Sequence, residues 1–398
     1  MPGLRLFRSL RHRNYRLYFL GQLVSLHGTW MQNLAQAWLV YRLTESSFML
    51  GLVGFLSLAP VLLFGLLGGA VADHLPRRRL FVWAQALAAL QALALGMLTL
   101  AGTIEVGHIL LLATLLGLVH AIEIPARHAL VAELVPRQDL PNAVALNSAT
   151  FNLARSLGPV TAGWLVGLVG EGWVFVINAA SFLFVIAALL RTDLADDRPA
   201  GLRRGGVLDG LRLAWRTDAL RRPLLLVGAV ALFANPYLVL MPVFAREVFG
   251  GAAEQLGLLV GAAGLGALLG ALRLARREGT DGLEGMIGLA GLSLGAALLL
   301  FSRTPVLVLA LPVLALVGFS LTSLVAATNT FLQLHAPDAL RGRVMSLFSV
   351  IFIGLSPLGN LLAGSIAEGL GVRLTAAVLG LVVLAAAIGF RRAMRARP

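Results

Sequence analysis

The chain is divided by short arginine-bearing segments into long apolar runs, and few folds are compatible with that pattern. A helix needs about 20 mostly apolar residues to cross a hydrocarbon core of about 30 Å. Twelve stretches qualify, over about residues 15–41, 47–72, 80–102, 106–132, 143–169, 173–190, 223–249, 256–274, 285–301, 306–333, 344–367 and 374–390. They are rich in Leu, Ala, Gly and Val, and glycine lets membrane helices approach closely. Barrel strands would instead be about 10 residues of alternating polarity, which the runs do not show. Composition agrees. Hydrophobic residues make up 58% and charged residues 13%, against about 45–50% and about 25% in soluble domains. Soluble and disordered classes are thereby excluded, and zero Cys excludes a disulfide scaffold. The expected fold class is an all-α polytopic membrane protein.

A net charge of +13 would suit a nucleic-acid binder, but its placement does not. All 32 basic residues are Arg, set in short clusters between the runs. With a cytoplasmic N-terminus, 27 of the 32 fall in cytoplasmic segments, as membrane topology demands. Arg42, Arg246, Arg303 and Arg373 fall outside, and Arg155 lies within the fifth run. Ala35-Gln36-Ala37 has the form of a leader cleavage site. The stretch before it carries Gln22, His27, Gln32 and Asn33, too polar for a leader, so the first run is read as a retained helix.

The longest polar stretch, 191–222, splits the runs six and six. The expected organisation is a first half over 1–190, a cytoplasmic linker over 191–222 and a second half over 223–398. Residues 207–215 have helical periodicity and predict a short amphipathic helix on the cytoplasmic face. The halves are weakly alike. Gly158-Pro159 and Gly163 in the fifth run correspond to Ser356-Pro357, Gly359 and Gly364 in the eleventh, each after a turn containing Pro136 or Pro337. Two six-helix repeats around a central cavity are the expectation for such a pattern.

Between the second and third runs the chain reads Gly69-Ala-Val-Ala-Asp73-His-Leu-Pro-Arg77-Arg78. This resembles the loop motif of the major facilitator superfamily, with His74 and Pro76 where that motif has a basic residue and a glycine. Arg155-Ser-Leu-Gly158-Pro159-Val-Thr-Ala162-Gly163 resembles the superfamily's antiporter signature, with Ala162 in place of one glycine. Pro125–Pro136, Asn142–Leu146, Pro242–Arg246 and Arg341–Ser346 are similar to the drug/proton antiporter branch that includes enterobactin and macrolide exporters. The resemblance implies that Gly69, Asp73, Arg77 and Arg78 gate the cytoplasmic side. It also implies that Gly158, Pro159 and Gly163 go with export, and that the protein is a monomer in a bacterial cytoplasmic membrane with both termini inside.

A charge at mid-bilayer costs at least about 2.5–3.5 kcal/mol, so it marks a functional candidate. Glu123 is the acid placed most clearly inside a run. His120, Glu123 and Arg127 form one helical stripe, and Arg127 at i+4 and Arg155 on the next run are rival partners for the carboxylate. The expected proton-coupling group is therefore Glu123 with His120, Arg127 and Arg155, a structural ion pair being the alternative. In the first run Gln22, Ser25, Thr29, Asn33 and Gln36 keep within about 80° of arc, a face that must meet water or protein. Asn235 and Tyr237 in the seventh run, and Thr322, Asn329 and Gln333 in the tenth, offer further polar positions. Family architecture puts these runs around the central cavity, so the set is expected to bind substrate. Phe19, Trp30, Met31, Phe233, Met241 and Phe319 could add apolar contacts. His27 falls opposite the polar stripe and is assigned no role.

There is no Gly-Lys-Ser/Thr phosphate loop and no Lys to complete one, which argues against ATP-driven transport. No cofactor or metal site is expected. The sequence thus favours a proton-coupled exporter of small amphipathic molecules, not an enzyme. A dedicated exporter of one metabolite, such as a siderophore, or a lysophospholipid transporter is the alternative within transport. A membrane sensor or scaffold is the alternative outside it.

Overall fold

The computed structural model describes residues 7–193, 217–277, 279, 281–338 and 340–395, without the side chains of Leu66, Ala72, Asp73 and Arg395. The amphipathic helix expected over 207–215 lies outside these residues. Lipid offers the backbone no hydrogen bonds, so long apolar runs close their amides internally. Among the described residues there is no strand. A short turn over Arg8–Arg11 precedes α1 (Arg13–Thr44), α2 (Ser47–His74), α3 (Arg77–Leu100), α4 (Val106–Glu133), α5 (Leu140–Val169) and α6 (Glu171–Leu190). Then come α7 (Asp218–Val248), α8 (Ala253–Ala275), α9 (Leu283–Arg303), α10 (Leu307–His335), α11 (Arg341–Leu370) and α12 (Val372–Arg395).

Ten of these helices are long and apolar enough to cross a membrane. The other two, α1 with 32 residues and α5 with 30, have the length but are more polar. Prolines mark the irregular places. In α7, which carries Pro236 and Pro242, tightened turns over Asn235–Leu240 lie between widened turns over Val230–Ala234 and Phe244–Val248. The ladder of α11 is interrupted at Leu355, ahead of Pro357. Both α5 and α11 end at a glycine with positive φ, Gly170 at 82° and Gly371 at 78°, where a side chain would be strained.

The described residues form two compact units. Unit 1 holds those up to Leu43 and from Ala59 to Asp193, and unit 2 holds Thr44–Leu58 and those from Thr217 onward. In unit 1, Tyr15, Tyr18, Phe81, Leu130, Leu134, Leu146 and Leu189 pack one end of α1, α3, α4, α5 and α6 into a buried cluster. Further along, a polar chain crosses the same interior. Asn178 donates to Gln32 Oε1 at 2.7 Å, and Gln32 donates to Gln91 Oε1 at 2.9 Å. All three side chains are buried, and hydrogen bonds of this kind average about 0.6 kcal/mol in membrane helices.

Unit 2 depends on closer backbone approach. A Cβ added at Gly266 of α8 would fall on the Ala315 carbonyl of α10, and one at Gly318 on the Ala263 carbonyl. The first part of α2 lies here too. Gly51 faces Gly364, Gly54 faces Asn360, and Glu368 accepts hydrogen bonds from Ser46 Oγ at 3.1 Å and Phe48 N at 3.0 Å.

The turn before α1 docks on the start of α5. Asp139 accepts from His12 at 2.7 Å and pairs with Arg8 at 2.5 Å, and Ser9 N donates to Asn142 Oδ1 at 2.9 Å. The hydrogen bond from His12, then the Arg8 charge, holds the Asp139 carboxyl below its ordinary range.

Two outcomes follow. Carbonyl oxygens cannot move aside as side-chain tips can, so Gly266→Ala and Gly318→Ala should each lower the thermal unfolding midpoint of the purified protein. Overpacking costs about 1–3 kcal/mol. Gly285→Ala, where a Cβ meets nothing within 4 Å, is the silent comparison. Secondly, a carboxyl with a depressed pKa stabilises the fold above its unfolded value, about 3.9, and loses that contribution as pH falls through the folded value. Wild type should therefore be more stable than Asp139→Asn at neutral pH, and unfolding midpoints measured down a pH series should converge below about pH 4.

Candidate functional site

The polar residues of α1 and α4 meet inside unit 1. Helical spacing puts His120, Glu123 and Arg127 on one side of α4 and Gln22, Ser25 and Thr29 on one side of α1. Together with Gln85 of α3 these residues line a small chamber of about 50 Å³. Glu123 is only 7% exposed. Its Oε1 stands 3.6 Å from Arg127 Nε, an ion pair one helical turn long. That distance is beyond a direct hydrogen bond, and the guanidinium makes no hydrogen bond among the described residues.

A second cavity, of about 450 Å³, adjoins the first. Arg127, Gln22 and Leu26 line both, so these three side chains separate the two spaces. The far wall of the larger one is α5, with Asn147, Ser148, Phe151 and Asn152. Asn147 also accepts from the Tyr15 hydroxyl at 3.1 Å. Trp30 stands edge-on to Phe151, with ring centroids 5.6 Å apart. The Oε1 atom of Gln22 is buried without a partner among the described residues. A buried carboxylate whose cation stands this loosely can exchange that cation for another positively charged group.

Other expected residues lie elsewhere. Arg155 is half-buried on α5 and lines neither cavity, and the ion pair of Glu123 is with Arg127. Further along α1, Asn33 is exposed and Gln36 buried. Asn235 and Tyr237, with Thr322 and Asn329, belong to unit 2. There Asn235 donates to Ser356 Oγ at 3.1 Å, Tyr237 is buried, and Asn329 accepts from Gln333 at 2.6 Å. The sequence reading did not single out Gln85, His128, Asn147, Ser148 or Asn152. On α5 the signal was available as polar positions one helical turn apart.

The loop after α2 is tied into unit 1 by its arginines. Arg77 pairs with Glu133 at the end of α4, and Arg78 donates to the Thr192 carbonyl at 2.8 Å. The side chain of Asp73 lies outside the described residues. An added Cβ at Gly69 meets nothing within 4 Å. Gly68 makes close contact instead, against the Ala121 carbonyl of α4, because one residue turns the helix face by about 100°. Gly158 does sit at a crossing: a Cβ would come within 2.7 Å of Trp30 Cβ on α1. Pro159 and Gly163 are buried beside it. His27, given no role from the sequence, places Nε2 2.9 Å from Thr161 Oγ1 on α5.

These contacts predict opposite results for two glycines. Gly158→Leu should push α5 off α1 and impair transport with membrane insertion retained. Gly69→Leu should be tolerated. Transport assays normalised to membrane-inserted protein check both, and a fully active Gly158→Leu variant would remove the crossing from any account of function.

The family described as transmembrane secretion effector matches residues 6–397. The chain is 30% identical over 360 residues to the multidrug efflux pump Tap of Mycolicibacterium fortuitum, covering 87% of each. It is 26% identical over 368 residues to the enterobactin exporter EntS of Shigella flexneri, covering 92% of this chain and 86% of that one. Among solved structures, the fold is similar to an inward-facing, occupied bacterial homologue of the human lysosomal transporter Spinster, with TM-score 0.75, 16% identity and 97% of each chain covered. The protein is an integral membrane protein that belongs to the transmembrane secretion effector family, within the major facilitator superfamily of transporters.

Proposed function

We propose that the protein is a proton-coupled exporter of small amphipathic molecules, working by alternating access in a bacterial cytoplasmic membrane. The observation that carries this reading is the ion pair of buried Glu123 with half-buried Arg127, which lines both chambers, with the polar residues of α1 around it. Glu123 is the proton carrier, and His120 and Arg127 share its chamber. Arg155 acts from α5 if its side chain swings inward during the cycle. Efflux is supported by the kinds of protein this chain is similar to: a multidrug efflux pump and an enterobactin exporter. The latter also supports the second reading, export of a single metabolite.

On this reading α1 and α5 cross the membrane as well, giving twelve crossings in two six-helix halves with both termini in the cytoplasm. Their low hydropathy is no obstacle, because Gln22, Ser25, Gln32 and Gln36 of α1 and Thr150 and Ser156 of α5 are buried in protein. The arginine distribution supports the orientation. Asp73, Arg77 and Arg78 form the cytoplasmic gate, and Gly69, with open space around it, tolerates a side chain there. The α1 stripe in unit 1 and, separately, Asn235, Tyr237, Thr322 and Asn329 in unit 2 are the substrate-binding positions, and the exporter acts as a monomer.

The decisive test separates coupling from movement. Removing one partner of a buried pair typically costs about 3–5 kcal/mol, so the substitution chosen is Glu123→Gln, which keeps a polar partner for Arg127. In proteoliposomes this variant should lose uphill, proton-driven export and keep downhill exchange of the same cargo. If it still concentrates cargo against a gradient, Glu123 is structural and the coupling assignment is wrong.

A further inference from the structure

The chemistry of the paired chambers says more about the cargo, on the reading that they hold it. Glu123 and Arg127 carry opposite charges, so the site has no net charge of its own. A cargo bearing one charge would pair with one partner and leave the other, buried Glu123 or half-buried Arg127, without its counter-charge, which is costly. A cargo bearing both charges close together satisfies both. The small chamber has room for a compact head group and no more, at about 50 Å³. Two acceptors line it, the Glu123 carboxylate and the buried Gln22 Oε1 that has no partner among the described residues. An acceptor left in that state is matched by an N–H donor. The guanidinium of Arg127, with no hydrogen bond of its own among the described residues, faces both chambers and suits a carboxylate or phosphate oxygen. The larger cavity, walled by Leu26, Val131, Val144 and Phe151, suits an apolar tail.

We propose that unit 1 recognises a zwitterionic amphiphile, with a compact N–H ammonium beside an acidic group and an apolar tail. The ammonium goes to Glu123 and Gln22, the acidic group to Arg127, and the tail to the larger cavity. The ion pair opens as the head group enters, and each charge gains a new partner. A proton on Glu123 competes with the ammonium for the same oxygens. When the ammonium binds a protonated site, the carboxyl gives its proton to bulk water, and carboxylate and ammonium then pair. Cargo and proton thus exclude each other, as export against proton entry requires. The other titratable or charged groups facing Glu123 are Tyr18 of α1 and His120, Arg127 and His128 of α4.

The test uses the full chain in lipid nanodiscs and probes of equal tail length: α-aminododecanoate, dodecylammonium and dodecanoate. Binding is measured by equilibrium dialysis against empty nanodiscs, and proton release with a pH dye in weak buffer. The zwitterion should bind about tenfold tighter than either single-charge probe, the worth of one charge-assisted hydrogen bond. In buffer acid enough to protonate Glu123 beforehand, it should also release protons on binding. Arg127→Gln should abolish its advantage over dodecylammonium, and Glu123→Gln its advantage over dodecanoate together with the proton release. The probe series needs only wild-type protein, so a variant that fails to fold leaves the test intact. Equal binding of dodecylammonium or of dodecanoate overturns the head-group assignment, as does binding of all three no better than to empty discs. Zwitterion binding without uphill export in proteoliposomes would leave that assignment standing and remove the exporter reading.

Discussion

Hydrocarbon neither donates nor accepts hydrogen bonds, and every level of this structure answers to that constraint. The backbone answers by closing into helices, so the described residues contain no strand. The side chains answer by turning polar groups toward protein. In α1, one of the two helices whose hydropathy is too low to mark them as spans, Gln22, Ser25, Gln32 and Gln36 are all buried. Gln32 shows how this is done, since Gln91 and Asn178 from two other helices close its hydrogen bonds. The polarity that weakens α1 as a membrane segment is what fits it to line an interior.

The Glu123–Arg127 pair is the same constraint at its most severe. A lone charge would be expensive at this depth, and the i, i+4 spacing on α4 provides a partner without help from another helix. Because the pair is held within one helix, its neighbours are left free to form walls. Arg127 and Gln22 are shared between the two cavities, so any change in the pairing of Arg127 is felt in both. That arrangement joins a buried carboxylate, through its cation, to the larger cavity.

Glycine serves the packing differently from one crossing to the next. At Gly266 and Gly318 the backbones of α8 and α10 come together so closely that no side chain fits. At Gly68 the second helix approaches α4 in the same way, whereas its neighbour Gly69 faces open space. A run of small residues announces that a close crossing exists, and the rotation of the helix decides which residue makes it.

Length and apolar character marked out twelve runs, and ten of the described helices are long and apolar enough to cross a membrane, because hydrocarbon imposes a minimum length that can be counted along the chain. The stripe of His120, Glu123 and Arg127 was equally legible, since neighbours on one helix are fixed by its period. The partner of Glu123 was a different matter. The sequence left Arg127 and Arg155 as rivals; helical spacing puts Arg127 within reach of the carboxylate, and packing decided the choice by keeping Arg155 out of both cavities. The roles of Asn147, Ser148 and Asn152 as the opposite wall, the His27–Thr161 contact and the pairing of Arg77 with Glu133 were likewise decided in three dimensions. Each joins residues from different helices, and their relative rotation and depth come from the packing of the whole unit, which helical period and composition do not encode.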